Sequence, residues 1–333
     1  MNDFKAWKRI VRWLSMLGVL GVLSFLGFPP QAFPQASLPV LSLQTSPTQV
    51  TLLDVHFHDA RQGWIVGAGG TILHTIDGGV TWEASPRRTN ALLTAVTFAD
   101  AMHGWILGQN GTVLHTADGG RQWFPQVSGT NGTLYAGDFL TADQGWLVGS
   151  RGVILHTGDG GESWGDQISG TTADLFGVHF INAERGWAVG ALGVILATTD
   201  GGKSWVAQDT NNLATFFDIV FTDSVVGWAV GTQGAMFQTL NGGQVWVDHT
   251  RPCGSPCIKP PDLVKVQFSN ALVGRIVGER GMILETQDAG FTWLEVEPIK
   301  SETLYGLSIP DPSQGFAVGD HGTIIHFLST PSP

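Results

Sequence analysis

The chain has 333 residues, 43% of them hydrophobic and only 14% charged, with 45 Gly, 13 Trp and 2 Tyr, and its formal net charge is −11. An acidic surface of this kind excludes nucleic acid and anionic lipid as natural partners, because it repels phosphate. Much Gly and Trp with little charge points to many short buried strands joined by tight turns, and away from long amphipathic helices.

The first 36 residues differ in kind from the rest. Lys5, Lys8, Arg9 and Arg12 precede an apolar run, Leu14 to Phe28, and a Pro/Ala/Gln stretch ends at Ala36. This is the order of a secretory signal, and the run is short for a membrane span, which needs about 20 apolar residues. The expectation for 1–36 is a signal peptide, cleaved or retained as an N-terminal anchor, with no Cys nearby for lipid attachment. Without that segment the chain keeps 13 basic against 27 acidic residues.

From residue 37 onward the sequence repeats itself. A Gly-Trp dipeptide or its substitute places its second residue at Trp64, Trp105, Trp146, Trp187, Trp228, Arg275 and Phe316, at intervals of 41, 41, 41, 41, 47 and 41. An apolar residue stands seven positions before each mark, from Phe57 to Ile309, and another Trp stands 18 after each of the first six, from Trp82 to Trp293. Within the first unit, Leu52–Phe57, Gly63–Gly67, Thr71–Thr75 and Val80–Glu83 read as four short strands, the second and third joined by a Gly-x-x-Gly turn. Four strands at a period near 40 describe a propeller blade. The reading is an all-β, seven-bladed propeller over 37–333.

The third turn of each unit carries Thr-x-Asp-x-Gly-x-x-Trp, an Asp-box, at Asp77, Asp118, Asp159, Asp200, Asn241 and Asp288. Its carboxylate is placed to accept backbone N–H groups within the turn, which makes it structural. The seventh unit lacks a fourth strand. Stepping back 23 residues from Trp64 reaches Leu41, so Pro39–Gln44 is expected to supply that strand and close the ring.

Chemistry-bearing residues are few. The Asp-boxes resemble those of sialidases, yet a sialidase needs an arginine cluster and a Tyr nucleophile, and Tyr135 and Tyr305 occupy a strand position where other units carry Leu, Phe, Thr or Val. His74, His115, His156 and His326 share one repeat position. Adjacent blades hold such positions roughly 10 Å apart, too far to share a metal bonded at about 2 Å. No metal and no cofactor are expected. Cys253 and Cys257 lie in the only insertion and read as a local disulfide. Positions ten and eight before each mark, among them Asp54, His56, Asp138, His179, Asp218 and Lys265, are small or polar and line the central channel. Sequence variation concentrates in the second-to-third-strand turns and the neighbouring inter-blade loops. That rim supplies the candidate partner-binding residues Arg87, Arg88, Arg151, Glu279, Arg280, Asp320 and His321.

The recurrent Gly-Trp-x-Val-Gly and Thr-x-Asp-Gly-Gly-x-x-Trp segments resemble the photosystem II stability/assembly factor family of cyanobacteria and chloroplasts, over about residues 50–328. The resemblance implies a seven-bladed propeller at the lumenal side of the thylakoid, without enzymatic activity, that binds newly made photosystem II subunits. Members present an arginine-rich patch, whereas this rim shows only Arg87, Arg88, Arg151 and Arg280; the lipobox Cys common in cyanobacterial members is absent. The expected function is an exported, monomeric, non-catalytic protein-binding factor, in a periplasm or thylakoid lumen. The alternatives are a secreted propeller for another envelope protein or a carbohydrate, and, last, a glycoside hydrolase.

Overall fold

Each Gly-Trp-x-Val-Gly segment is buried along its whole length, as a strand covered on both faces must be. In the computed structural model, which describes residues 38–250 and 259–328, these segments are the second strands of seven four-stranded antiparallel sheets. The expected signal or anchor at 1–36 and the expected Cys253–Cys257 disulfide lie outside the described residues. Blade 1 runs Leu52–Phe57, Gly63–Gly67, Thr71–Thr75, Glu83–Ala84 from inside out. Blades 2 to 6 repeat it. No helix among the described residues is long and apolar enough to cross a membrane.

Blade 7 is closed as the register requires. Its own strands are Leu304–Asp311, Gln314–Gly319 and Ile324–Leu328, and Val40–Leu43 adds the outer one, with Leu41 opposite Phe327 and Ser42 opposite His326. In the other blades the outer strand differs from expectation. It begins after the Trp, at Glu83 in blade 1 rather than at Val80. The cause lies in the Asp-box: Asp77 Oδ1 accepts the Thr81 N–H at 2.9 Å, and Thr75 Oγ1 accepts the Gly79 N–H at 2.9 Å. Backbone donors bound inside the turn are not free for a ladder.

The core lies between blades. Seven apolar clusters each join two neighbouring sheets; one packs Leu52, Val55, Phe57 and Trp82 of blade 1 against Phe316, Val318 and Ile324 of blade 7. In blades 1 to 4 and 7 the mark residue stacks on the Phe seven positions before the next mark. Trp105 lies 3.6 Å from Phe139 and Trp146 3.6 Å from Phe180, the rings within 10° of parallel. The Asp-box Trp meets the same Phe edge-on, as Trp164 does Phe139 at 88°. Stacked and edge-on pairs contribute about 0.5–1.5 kcal/mol each beyond area burial. The Gly before each mark is needed for this arrangement, since a Cβ on Gly63 would stand 2.6 Å from the Phe57 ring.

Three of the shared-position histidines complete the stack. His115 and His156 lie 5.0 Å from Trp105 and Trp146, and His326 4.3 Å from Phe316. Burial pushes all three imidazoles below the ordinary value, so they serve as neutral rings. Blade 6 breaks the pattern. Arg275 replaces the Trp and Glu285 replaces the His, and the two form an ion pair at 2.7 Å with 0% and 2% side-chain exposure.

Candidate partner-binding face and central channel

The innermost strands surround a cavity of about 400 Å³ lined by Asp54, His56, Asp138, His179, Asp218, Lys265, Gln267 and Ser308, among others. Most of these polar side chains are bonded to the blade that follows. Asp54 accepts the Val96 N–H at 3.0 Å, Asp138 that of Phe180 at 2.6 Å, and Asp218 that of Val266 at 3.0 Å. Gln267 Oε1 accepts the Ile309 N–H at 2.8 Å, and Ser308 Oγ that of Phe57 at 2.9 Å. His179 Nε2 faces the Phe221 carbonyl at 3.2 Å; a carbonyl only accepts, so that nitrogen carries the hydrogen. Thr94 Oγ1 donates to the Leu134 carbonyl. Six of the seven blade junctions thus carry a side-chain-to-main-chain bond at the channel wall, and the bond between blades 2 and 3 comes from Thr94, outside the channel lining.

Lys265 is the cation of this wall. Its ammonium lies 3.7 Å from Asp218. Burial works against its charge, yet Asp218 and Asp54 hold its pKa above the ordinary lysine value. One ammonium serves two buried carboxylates, and burial therefore leaves Asp54 and Asp218 above the usual carboxylate range. Burial, helped by the His58 and Lys265 charges, lowers His56 to about 4. The sequence places small or polar residues in the channel; what it does not reveal is that they clip the ring together. Among the described residues, no group of three His, Cys, Asp or Glu is placed to hold a metal.

The two faces of the ring differ in what their side chains do. The Asp-box face is acidic, and its Asp-box carboxylates are engaged in turns. The Asp-box oxygens of Asp118, Asp159, Asp200 and Asp288 accept the N–H four residues on, as does Asn241. Hydrogen bonds from Thr or Ser hold the carboxyls of Asp77, Asp159 and Asp200 down at about 2. Asp59, Asp100 and Asp223 cap the first-to-second-strand loops by accepting N–H groups two and three residues on.

The opposite face carries the second-to-third-strand turns. The middle residue of each turn is left-handed, with φ between 55° and 63° from Gly69 to His321. This conformation carries Arg151, Arg280 and His321 on the surface. The expected binding residues fall into two arcs. Arg87 and Arg88, both exposed, sit in the loop between blades 1 and 2, near the Arg151 turn of blade 3 in ring order. Glu279, Arg280, Asp320 and His321 belong to blades 6 and 7. The ring does not bring all seven to one spot.

Two of the seven are anchors. Glu279 Oε2 accepts the Asp262 N–H at 3.1 Å, the role Ser150 plays for Thr133 and Thr232 for Thr215. Asp320 accepts from Thr51 Oγ1 at 2.9 Å and from Tyr305 Oη at 3.2 Å. Arg280 Nη2 donates to the Lys259 carbonyl at 3.3 Å.

A feature of this face has no counterpart in the expected set. Every innermost strand slips register by one residue near its start, as between Leu134 and Ala136. The bulged residues are Leu53, Thr94, Tyr135, Phe176, Phe217, Val264 and Tyr305, all half-buried. Three consecutive aromatics among them touch, Tyr135–Phe176 at 4.9 Å and Phe176–Phe217 at 5.8 Å. The signal available in the sequence was the run of Tyr, Phe, Phe at one repeat position.

Comparison with known proteins fits this architecture. The family model described as photosynthesis system II assembly factor YCF48 matches residues 35–131, 86–168, 126–212 and 206–302. Photosystem II assembly protein Ycf48 of Thermosynechococcus vestitus is 36% identical over 75 residues, 22% of this chain and 21% of that protein, so the chain spans about a fifth of the length of the curated relative it matches. A solved structure of YCF48 bound to D1 peptide superposes with a TM-score of 0.72 at 22% identity, over 91% of this chain and 99% of the other. YCF48 from Cyanidioschyzon merolae gives 0.71 at 22% identity, over 86% and 98%. At these identities the structures speak for the fold, while the family model spans most of the sequence. The chain belongs to the photosynthesis system II assembly factor YCF48 family.

Proposed function

We propose that this chain is an exported, non-catalytic, monomeric propeller that acts as an assembly and stability factor for photosystem II by holding a segment of a D1-type subunit on its turn face. The observation that carries the reading is the contrast between the two faces. The Asp-box carboxylates are consumed by turns, whereas Arg87, Arg88 and Arg151 stand exposed on the turn face. The family description and the D1 peptide bound by a fold neighbour supply the client. The channel carboxylates support a structural rather than a catalytic role, because each accepts a main-chain N–H of the next blade.

The basic segment followed by an apolar run within residues 1–36 supports a location in a periplasm or thylakoid lumen, near the membrane. There an oxidising environment favours the Cys253–Cys257 disulfide. The test is titration of the purified chain against fluorescent peptides tiled along D1, read by anisotropy. At least one peptide binds, and Arg151→Glu or the pair Arg87→Glu/Arg88→Glu weakens it. Failure of every D1 peptide to bind a folded chain overturns this client.

A further inference from the structure

We infer that the aromatic crescent Tyr135–Phe176–Phe217 is a docking site for an extended polypeptide segment that presents an aromatic or aliphatic side chain beside a carboxylate. This rests on the reading of the turn face as the client-binding face and names what that face recognises.

Three facts point there. The three rings form a continuous half-buried ladder across blades 3, 4 and 5. It sits at bulges, where an inserted residue re-aims its side chain out of the sheet's alternation. On the same face Leu192 and Leu213 are 70% and 81% exposed, and they adjoin, since a Cβ on Gly193 would lie 3.3 Å from the Leu213 Cα. Clustered apolar exposure next to polar groups marks interaction surfaces, whereas single exposed residues do not.

Charge selects the partner. The loops and turns of this face over residues 85–92, 109–111, 128–133 and 150–152 contain no carboxylate, and Arg151 closes that arc beside the crescent. The carboxylates in the loops around the crescent itself are Asp174, Asp209 and Asp262, and each is committed to a turn. Asp174 accepts the Arg151 N–H at 2.8 Å and interacts with the Tyr135 hydroxyl. Asp209 accepts the Asn211 N–H at 2.7 Å, and Asp262 accepts the Gln233 N–H at 2.7 Å and pairs with Lys259 at 3.5 Å. Among the described residues no ion pair is formed by the Arg151 guanidinium, which leaves it facing solvent next to apolar surface. An anionic group beside an apolar side chain fits that juxtaposition; a cationic segment does not. Blade 7 offers a built-in contrast: Tyr305 occupies the equivalent bulge with its hydroxyl held by Asp320, as that of Tyr135 is by Asp174, but Val264 and Leu53 flank it in place of aromatics.

The two tyrosines make the test direct. The full chain labelled with 3-fluorotyrosine gives one 19F resonance for Tyr135 and one for Tyr305, assigned with Tyr305→Phe. Titration with the tiled D1 peptides is expected to shift the Tyr135 signal and leave Tyr305 in place. Phe176→Ala and Phe217→Ala are expected to weaken binding about tenfold each, as truncated aromatic anchors do; the resonance readout needs neither variant to fold. A D1 peptide that binds while shifting only Tyr305, or neither signal, overturns the crescent and leaves the client reading standing. If no D1 peptide binds, the client reading fails, and the dipeptide N-acetyl-Asp-Phe-amide at millimolar concentration decides the crescent. A Tyr135 shift upholds it, and none overturns it.

Discussion

Substituting Glu285 by Ala strands the Arg275 guanidinium in the wall between blades 6 and 7. Both side chains are essentially without solvent contact, and they meet at 2.7 Å. Gln287 Nε2 donates to the other Glu285 oxygen at 2.9 Å, and the Arg275 Cζ sits 5.3 Å from the Phe327 ring centre. Removing one partner of a buried pair costs about 3–5 kcal/mol, because the remaining charge has lost its counter-charge. Replacing both partners by apolar groups of similar volume is commonly neutral or stabilising by about 1–4 kcal/mol. Glu285→Ala is therefore expected to lose about 3–5 kcal/mol, while Arg275→Met/Glu285→Leu stays within about 1 kcal/mol of the parent or exceeds it. Urea unfolding followed by Trp fluorescence measures all three, with Arg275→Met closing the double-mutant cycle. Additive single and double changes, or a Glu285→Ala cost below about 1 kcal/mol, would show that Arg275 and Glu285 do not act as a coupled buried pair.

Three further outcomes are expected. Deleting 38–44 removes the strand opposite Ile324–Leu328 and the packing of half-buried Leu41, for a loss of about 3–5 kcal/mol from one half-buried side chain and a few ladder bonds; calorimetry showing an unchanged melt would contradict it. Trp146→Ala should cost about 3–5 kcal/mol, whereas Trp146→Phe should cost less than half of that, since Phe316 fills the equivalent place in blade 7; equal losses in denaturant titrations would count against the stacking account. His56 is lowered to about 4 in the fold. Its contribution is thus complete above the unfolded value near 6.5 and is lost as pH falls toward 4. Stability curves of the parent and of His56→Gln should therefore converge on acidification through that window, and parallel curves would show that the imidazole is not held neutral.

Blade number, ring closure and the core positions were legible because each rests on spacing. A 41-residue period with Trp64 and Trp82 at fixed offsets admits few architectures, and counting back to Leu41 uses the same ruler. Features that depend on two blades meeting were not legible. The bond from Asp54 to Val96 joins residues 42 apart, and nothing local distinguishes an aspartate that clips a neighbour from one that faces water. The start of the outer strand was misplaced because Val80 and Thr81 have strand-like side chains, while the Asp77 carboxylate holds their backbone in the turn. Arg275 stood out as a substitute at the mark. Its compensation at Glu285 required the pairing of the two strands. On the binding face, Glu279 and Asp320 read as variable rim residues, but the structure spends them on anchoring. Tyr135 read as an ordinary strand residue because a bulge leaves no trace in the period.

We propose that this propeller binds a photosystem II subunit through its turn face. The most direct measurement is affinity purification of the full chain from native membranes, with Arg151→Glu/Phe176→Ala run in parallel and the captured proteins identified by mass spectrometry. D1-containing species are expected to be recovered with the parent and lost or strongly depleted with the variant. Capture of unrelated envelope proteins without D1, or equal D1 recovery by both, would contradict it.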